Sequence, residues 1–228
     1  MMAAMHDFDF EVNLAALPHS YPRGQQLNEA PAIWWLENFA GAAEINALVT
    51  AAQDRMGPAA VSGEQGGFFS EGRSGLNCWI SHHHNPLILA LAQRISALVE
   101  IPLCNAENFQ VVYYGRGQQY QPHFDGWEPG TERGDRCLAH GGQRLVTALL
   151  YLNEVEGGGC TRFTQLELDV QPAKGGLLLF HNCERGSSKR HAHGLHAGLP
   201  VTAGEKWAAN LWFRQRDYRW HRASSKTT

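Results

Sequence analysis

The spacing of apolar positions changes along the chain, from helical in its first half to alternating in its second. "FAGAAEINALVTAAQDRMG" (39–57) sets Ile45, Leu48, Val49 and Ala52 at helical spacing and stops at Gly57-Pro58, which predicts a helix with a defined end. "NPLILALAQRISALVEIP" (85–102) predicts a second helix, with Asn85 as N-cap, Pro86 at the first helical position and one apolar side. From Asn108 the pattern turns to short β segments: "NFQVVYYG", "QYQPHFDG", "QRLVTALLYLN", "CTRF", "LELDVQ", "GLLLFHN", "HGLHAG" and "EKWAANLWFRQ". Many short strands between Gly or Asn turns predict a mainly β fold with flanking helices, built as a sandwich, jelly roll or barrel. Between these elements, residues 1–30 read as an extended N-terminal arm and 57–77 as a mobile connection. The long link from Gly126 to Gly142 reads as a lid or binding loop, or as disorder.

Composition narrows the classes of function. The 228 residues are 43% hydrophobic and 18% charged, which suits a soluble globular protein of one large domain or two small ones. A net charge of -3 supplies no basic field for nucleic acid or an anionic membrane, so the expected partners are small molecules or polypeptides. The five cysteines (Cys78, Cys104, Cys137, Cys160 and Cys183) are widely spaced, odd in number and without a CxxC pair. That pattern argues against a disulfide framework or zinc ribbon and for reduced thiols in a cytoplasmic protein. The first residues lack a basic and then apolar leader, and no segment has the uncharged length of a membrane span.

The candidate chemistry starts at "YQPHFDG" (120–126). Side chains two apart on a strand share a face, so His123 and Asp125 are either a hydrogen-bonded surface pair or two ligands of one metal. Two histidines and one carboxylate hold ferrous iron with one side open for a chelating cosubstrate and dioxygen. His181, His191, His193 and His196 are the candidate third ligands. His196 is preferred, because it lies in a strand-like segment and is followed ten residues on by Lys206, whereas His193 has the opposite face parity. A buried Lys206 would pair with the far carboxylate of 2-oxoglutarate, and the Tyr113 phenol could donate to the same group. On alternation Lys206 shares a face with Ala208 and Asn210, while Trp207, Ala209 and Leu211 take the other. Either face could be inside.

The segments "YYGRGQQYQPHFDGWEP", "GGQRLVTALLYLNEVEGGGCTRF", "PAKGGLLLFHN" and "HAGLPVTAGEKWAANLWF", in that order between Ile33 and Arg214, resemble the iron(II)- and 2-oxoglutarate-dependent prolyl 4-hydroxylases. The resemblance implies a double-stranded β-helix (jelly roll, cupin-like) core at 105–218, with 31–104 as a helical support region of the same domain and 219–228 as a C-terminal tail. It implies Fe(II) held by His123, Asp125 and His196, and 2-oxoglutarate bound by Lys206 with help from Tyr113 and Thr147. Dioxygen would be the oxidant and ascorbate a reductant. The implied reaction hydroxylates peptidyl proline at C4 and releases succinate and CO2, in a compact bacterial- or algal-type enzyme that is a monomer or homodimer. The chain departs from the pattern at "CTRF", where Glu-Thr-x-Phe is usual, and in the cationic, histidine-rich "HNCERGSSKRHAHGLHAG".

Blander readings stand beside these. His82, His83 and His84 cannot all converge on one ion from a strand and read as surface or substrate-rim histidines. Trp79, Tyr120, Trp127 and Trp212 read as core, although Trp127, like Arg73, Phe68 and Phe69 in the earlier connection, is a candidate for contact with substrate. A hydroxylase of a free amino acid or other small metabolite would share the core. A non-catalytic cupin-like metal domain would keep the histidines without needing Lys206, and nucleic-acid demethylation fits the acidic charge poorly.

Overall fold

The computed structural model describes residues 10–58, 60–63, 66–69 and 72–218, with the backbone alone for 60–63 and 66–69. The expected tail at 219–228, the first nine residues of the expected arm and the side chains of Phe68 and Phe69 lie outside the described residues. The strands of the first half are β1 (Gln25–Asn28), β2 (Ile33–Leu36), β3 (Gly57–Pro58), β4 (Ala60–Gly63), β5 (Gly66–Phe69), β6 (Leu76–Ile80) and β7 (Phe109–Tyr114). Those of the second half are β8 (Tyr120–His123), β9 (Arg144–Tyr151), β10 (Gly157–Gly158), β11 (Thr161–Phe163), β12 (Leu168–Val170), β13 (Leu177–His181), β14 (His196–Gly198), β15 (Val201–Ala203) and β16 (Lys206–Arg214). Among the described residues there are three α-helices, α1 (Ala42–Gln53), α2 (Pro86–Val99) and α3 (Glu132–Leu138).

The helices start where their sequences supply caps. The Asn85 carboxamide accepts from the Ile88 N–H at 2.9 Å with Pro86 at N1, and the Thr131 hydroxyl accepts from the Gly134 N–H at 3.0 Å. Glu44 in the first turn of α1 accepts from the Gly41 N–H and receives both terminal nitrogens of Arg94 on α2, at 2.7 and 2.9 Å.

The strands form an eight-stranded sheet, ordered β1-β2-β13-β9-β16-β7-β6-β3, and a four-stranded sheet, β12-β11-β14-β8. Period-two alternation gives each central strand of the large sheet two apolar faces. Leu145, Ala148, Leu150, Leu177, Leu179, Ala209, Leu211 and Phe213 pack in one cluster with Ile45 and Leu48 of α1 and Ile88, Leu91 and Ile95 of α2. Leu149, Tyr151, Leu178, Phe180, Ala208 and Val112 face the other way, toward Phe163 and Val170 of the small sheet. The fold is therefore a double-stranded β-helix with the helices on its outer side, as expected, and the space between its two sheets is where a site can sit. Among the described residues no helix is long and apolar enough to cross a membrane.

Three segments differ from expectation. Tyr21 is buried, and β1 pairs with β2 at the edge of the large sheet, so the segment from Tyr21 to Asn28 belongs to the body of the fold rather than to an arm. Residues expected as a connection between 57 and 77 instead pair as β3 with β6 and as a β4–β5 hairpin. The Gly126 to Gly142 link contains α3, a helix too short for a hydrophobic repeat to announce it.

The large sheet also buries a histidine away from the site. His181 is buried, its Nε2 lies 2.6 Å from the Tyr21 hydroxyl, and burial pushes the imidazole down to about 3 from its ordinary 6.5. The unfolded chain therefore takes up a proton near pH 6.5 that the folded chain refuses until about 3, so stability falls as pH drops through that window. The expected loss is ~1.4 kcal/mol per pH unit. His181→Gln removes the titration, and its urea midpoint should fall less than that of the wild type between pH 7 and pH 5. Equal falls in both proteins would show that His181 does not carry the acid sensitivity.

Candidate active site

Antiparallel pairing of β14 with β8 sets His196 directly opposite His123. β8 ends at His123, so Asp125 reaches the same place from a bend after the strand and not by strand alternation, as the sequence reading had it. His123 Nε2 and His196 Nε2 each lie 3.7 Å from an Asp125 carboxylate oxygen, on Oδ1 and Oδ2 respectively. One ligand atom from each of the three residues falls within 4.8 Å of the others. Each imidazole has its Nδ1 at 2.9 Å from a carbonyl two residues earlier, Gln121 O for His123 and Gly194 O for His196. With Nδ1–H donating there, both Nε2 lone pairs point inward. His123 stacks on Tyr120 at 3.6 Å, and His196 packs against Phe180 at 4.9 Å and Phe163 at 5.6 Å, so neither ring turns freely.

The protonation states suit a cation. Burial and the neighbouring His196 push His123 down to about 3. Burial opposes ionisation of Asp125, but His196 and His123 outweigh it and hold the carboxyl at about 2. Two imidazoles and one carboxylate form a donor set that fits an octahedral divalent metal with one face open. Behind it, the Thr147 hydroxyl donates to Asp125 Oδ2 at 2.8 Å and accepts from Asn182 Nδ2 at 2.9 Å. His193 is elsewhere: it is exposed, its N–H donates to His191 Nδ1 at 3.1 Å, and the two rings lie 5.5 Å apart.

His123, Asp125 and His196 line a cavity of about 170 Å³ whose walls also include Lys206, Tyr114, Thr161, Leu149 and Ala208. Lys206 follows the turn at Gly204, where φ is +68°, and alternation puts it on the inner face with Ala208, Asn210 and Trp212. It is buried, its ammonium donates to Gly159 O at 2.6 Å, and burial pushes its pKa down to about 8. Among the described residues no carboxylate pairs with it in the cavity wall.

Two of the residues expected to help Lys206 do not. Tyr113 is on the outer face of β7, edge-on to Trp207 at 5.0 Å, and its neighbour Tyr114 is the one that points into the cavity. The motif is off by one residue, which on a strand means the opposite face. Thr147 supports Asp125 and does not reach the lysine end, where Thr161 lines the wall and accepts from the Tyr151 hydroxyl at 2.8 Å.

Arg73 and Trp127, the residues proposed for substrate contact, both line the cavity and both are buried. Arg73 lies over the Tyr120 ring at 4.6 Å and donates to Gln110 Oε1 at 2.9 Å, while its Nε has no hydrogen-bond partner among the described residues. Sequence reading missed Arg144. Its guanidinium covers the Trp212 ring at 3.7 Å and forks onto Glu107 at 2.6 and 2.7 Å, and Glu107 also accepts from Arg214 at 2.6 Å. No motif connects Glu107, Arg144 and Arg214, which are far apart along the chain. His82, expected at the surface or rim, is instead buried with Nε2 at 2.6 Å from the Glu107 carbonyl oxygen, so it supports this cluster.

Residues 109–214, which include every ligand above, match the model of the 2OG-Fe(II) oxygenase superfamily. A putative prolyl 4-hydroxylase of Acanthamoeba polyphaga mimivirus is 39% identical over 146 residues, covering 64% of this chain and 60% of the relative. A probable prolyl 4-hydroxylase 7 of Arabidopsis thaliana is 29% identical over 216 residues, covering 86% and 66%. The chain thus spans about three fifths to two thirds of these relatives. Among solved structures, the viral collagen prolyl hydroxylase of Paramecium Bursaria Chlorella virus-1 in its 2OG complex superposes with a TM-score of 0.62 at 28% identity, over 80% of this chain and 95% of that one.

The geometry predicts metal binding independently of turnover. His123→Ala, Asp125→Ala and His196→Ala should each abolish stoichiometric Fe(II) binding in anaerobic titration calorimetry, and His193→Ala should retain it. Binding by His196→Ala together with its loss in His193→Ala would identify the other histidine as the ligand. Thr147→Val removes the hydrogen bond to Asp125 and should weaken the metal by ~10–100-fold, the range for loss of such a supporting partner.

Proposed function

We propose that the chain is a 2-oxoglutarate-dependent dioxygenase that hydroxylates peptidyl proline at C4, releasing succinate and CO2, a reading that the match of residues 109–214 to the 2OG-Fe(II) oxygenase superfamily supports. The observation that carries the reading is a buried lysine with no carboxylate partner in the wall of the cavity that holds two histidines and an aspartate. Fe(II), 2-oxoglutarate and dioxygen, when bound, supply the oxidising chemistry that inserts one oxygen into a C–H bond. The protein's part is to hold and orient. His123, Asp125 and His196 offer two imidazole nitrogens and a carboxylate as donors on one side of the metal position. Lys206 presents an ammonium to the far carboxylate of the cosubstrate, with the Tyr114 phenol and Thr161 hydroxyl beside it. Leu149 and Ala208 keep this end apolar, which excludes water and strengthens the charge pairing.

A peptide is favoured over a free amino acid by the shape beyond the metal. His123, Phe124, Trp127 and Arg133 line both the inner cavity and a neighbouring hollow of about 420 Å³, so the space continues past one residue's length. Relatives and solved neighbours named as prolyl hydroxylases support proline as the residue. Ascorbate as reductant rests on the family resemblance alone. A cytoplasmic setting rests on the reduced cysteines, and a monomeric or homodimeric state is part of the same proposal.

Lys206 makes the reading testable through pH. An anion needs the ammonium form, so 2-oxoglutarate affinity should be constant below about 8 and fall up to tenfold per pH unit above it. Lys206→Ala should weaken 2-oxoglutarate by more than ~100-fold, as expected for removing one partner of a buried ion pair. Calorimetry of the metal-loaded protein reads both, and an unchanged titration curve would favour a generic metal domain. Incubation with proline-rich peptides should yield succinate and a gain of one oxygen on proline by mass spectrometry. Turnover of free proline with inert peptides would favour the amino-acid hydroxylase instead.

A further inference from the structure

Residues 183–193, most of the cationic, histidine-rich segment in which the chain departs from the family pattern, supply none of the groups placed at the metal or at Lys206, yet the segment walls the hollow beside the metal ligands. Backbone pairing fixes it there. Cys183 bridges Arg190, the Glu184 N–H donates to Lys189 O at 2.8 Å, the His191 N–H donates to Asn182 O at 2.9 Å, and Gln143 Nε2 donates to Ser188 O at 3.3 Å. The turn so formed sets the Arg190 guanidinium over the Phe124 ring, 4.0 Å from its centroid. Phe124 stands between His123 and Asp125, so a cation held on it is a neighbour of the metal position. Across the hollow, Glu128 Oε2 accepts from Arg190 at 2.9 Å. The two partners are not equally fixed: the Arg190 side chain is 26% exposed and stacked, whereas that of Glu128 is 58% exposed. Besides His123, the charged groups lining the hollow are Arg133, Arg190 and Glu128, two cations to one carboxylate.

We propose that Arg190 is a charge-selecting subsite, at which Glu128 holds the place of an acidic side chain that lies near the target proline in the substrate. The inference rests on the reading of the protein as a hydroxylase of peptidyl proline. A guanidinium stacked on a ring keeps its fork in one orientation, so little freedom is lost when a carboxylate arrives. Its present pair with an exposed carboxylate is weak, because water competes for the anion while the hollow is open. A substrate carboxylate that enters as the chain covers the hollow is shielded from that competition, and it displaces Glu128 toward solvent. A basic side chain at the same place meets the guanidinium with like charge. The hollow therefore favours acidic residues over neutral ones, and neutral over basic.

The test uses peptides with one target proline and Glu, Gln or Lys at each neighbouring position in turn. In the wild type, at one of these positions, KM should rise in the order Glu, Gln, Lys, with Gln ~3–10-fold above Glu, more than a fully exposed ion pair gives because the Arg190 side chain is mostly covered. Arg190→Gln should bring the Gln-to-Glu ratio of KM to about one, Arg190→Lys should keep part of the preference, and Arg190→Glu should reverse the order. Glu128→Gln removes the competing carboxylate and should widen the ratio, and high salt should narrow it in the wild type. A change in folding or at the metal moves KM for all three peptides together and leaves the ratio as it was. A wild type with no preference among the three residues, or the same ratio in wild type and Arg190→Gln, would overturn the subsite while leaving the peptide reading intact. An unchanged ratio in Glu128→Gln would overturn the part assigned to Glu128. Turnover of free proline with every peptide inert would overturn the peptide reading and the subsite with it.

Discussion

One hydrogen bond joins the two sheets at the point where the metal ligands meet. Asp125 follows the edge strand of the small sheet, Thr147 stands on a central strand of the large one, and the hydroxyl donates to the carboxylate at 2.8 Å. The direction of that proton is fixed, because Asn182 Nδ2 donates to the Thr147 oxygen and an ionised carboxylate can only accept. A carboxylate held this way presents its two oxygens to His123 and His196 with little freedom to turn. Both imidazoles are in turn fixed through Nδ1 by carbonyls of their own segments. The metal position is therefore pre-organised by backbone register and by the Thr147–Asp125 hydrogen bond between layers.

The charges inside the fold are arranged by the same separation of roles. One end of the cavity carries a buried carboxylate flanked by two imidazoles, a donor set that calls for a cation; the other carries a buried ammonium, which calls for an anion. The ammonium disfavours the empty folded state, since burial without a carboxylate partner costs it hydration and lowers its pKa. Ligands that repair both ends stabilise the protein as well as load the site. Glu107 is the contrasting case. It is buried too, but Arg144 and Arg214 hold it ionised from within the chain, so its charge is structural.

That internal pairing shapes the wall on the side facing solvent. Fixed by Glu107, the Arg144 guanidinium is free to lie flat over Trp212 and beside Trp127, and Arg214 takes the other approach to Trp127 at 4.4 Å. Planar cations between indoles make a rigid wall from side chains that would otherwise sample several rotamers. Arg73 over Tyr120, with His123 stacked behind, repeats the arrangement on the far side. The rim of the cavity is thus built by stacking and the base by hydrogen bonds.

Local pattern in the sequence determined most of the strands of the second half and the two long helices with the Asn85 cap, which depend on neighbours a few residues away, and period-two alternation put Lys206 with Ala208 and Asn210. The grouping of His123, Asp125, His196 and Lys206 came instead from the family resemblance of motifs distant along the chain. Alternation does not say which face is inside, and that is why Tyr113 was expected where Tyr114 stands. The tertiary structure alone decided the partners of Thr147, the convergence of Glu107, Arg144, Arg214 and His82, and the exposure beside the cavity of Trp79, which was expected in the core. Each of these joins residues from strands or loops distant along the chain, through contacts with no periodicity of their own. They exist only once the two sheets close on each other, because it is the packing of those layers that sets the distances.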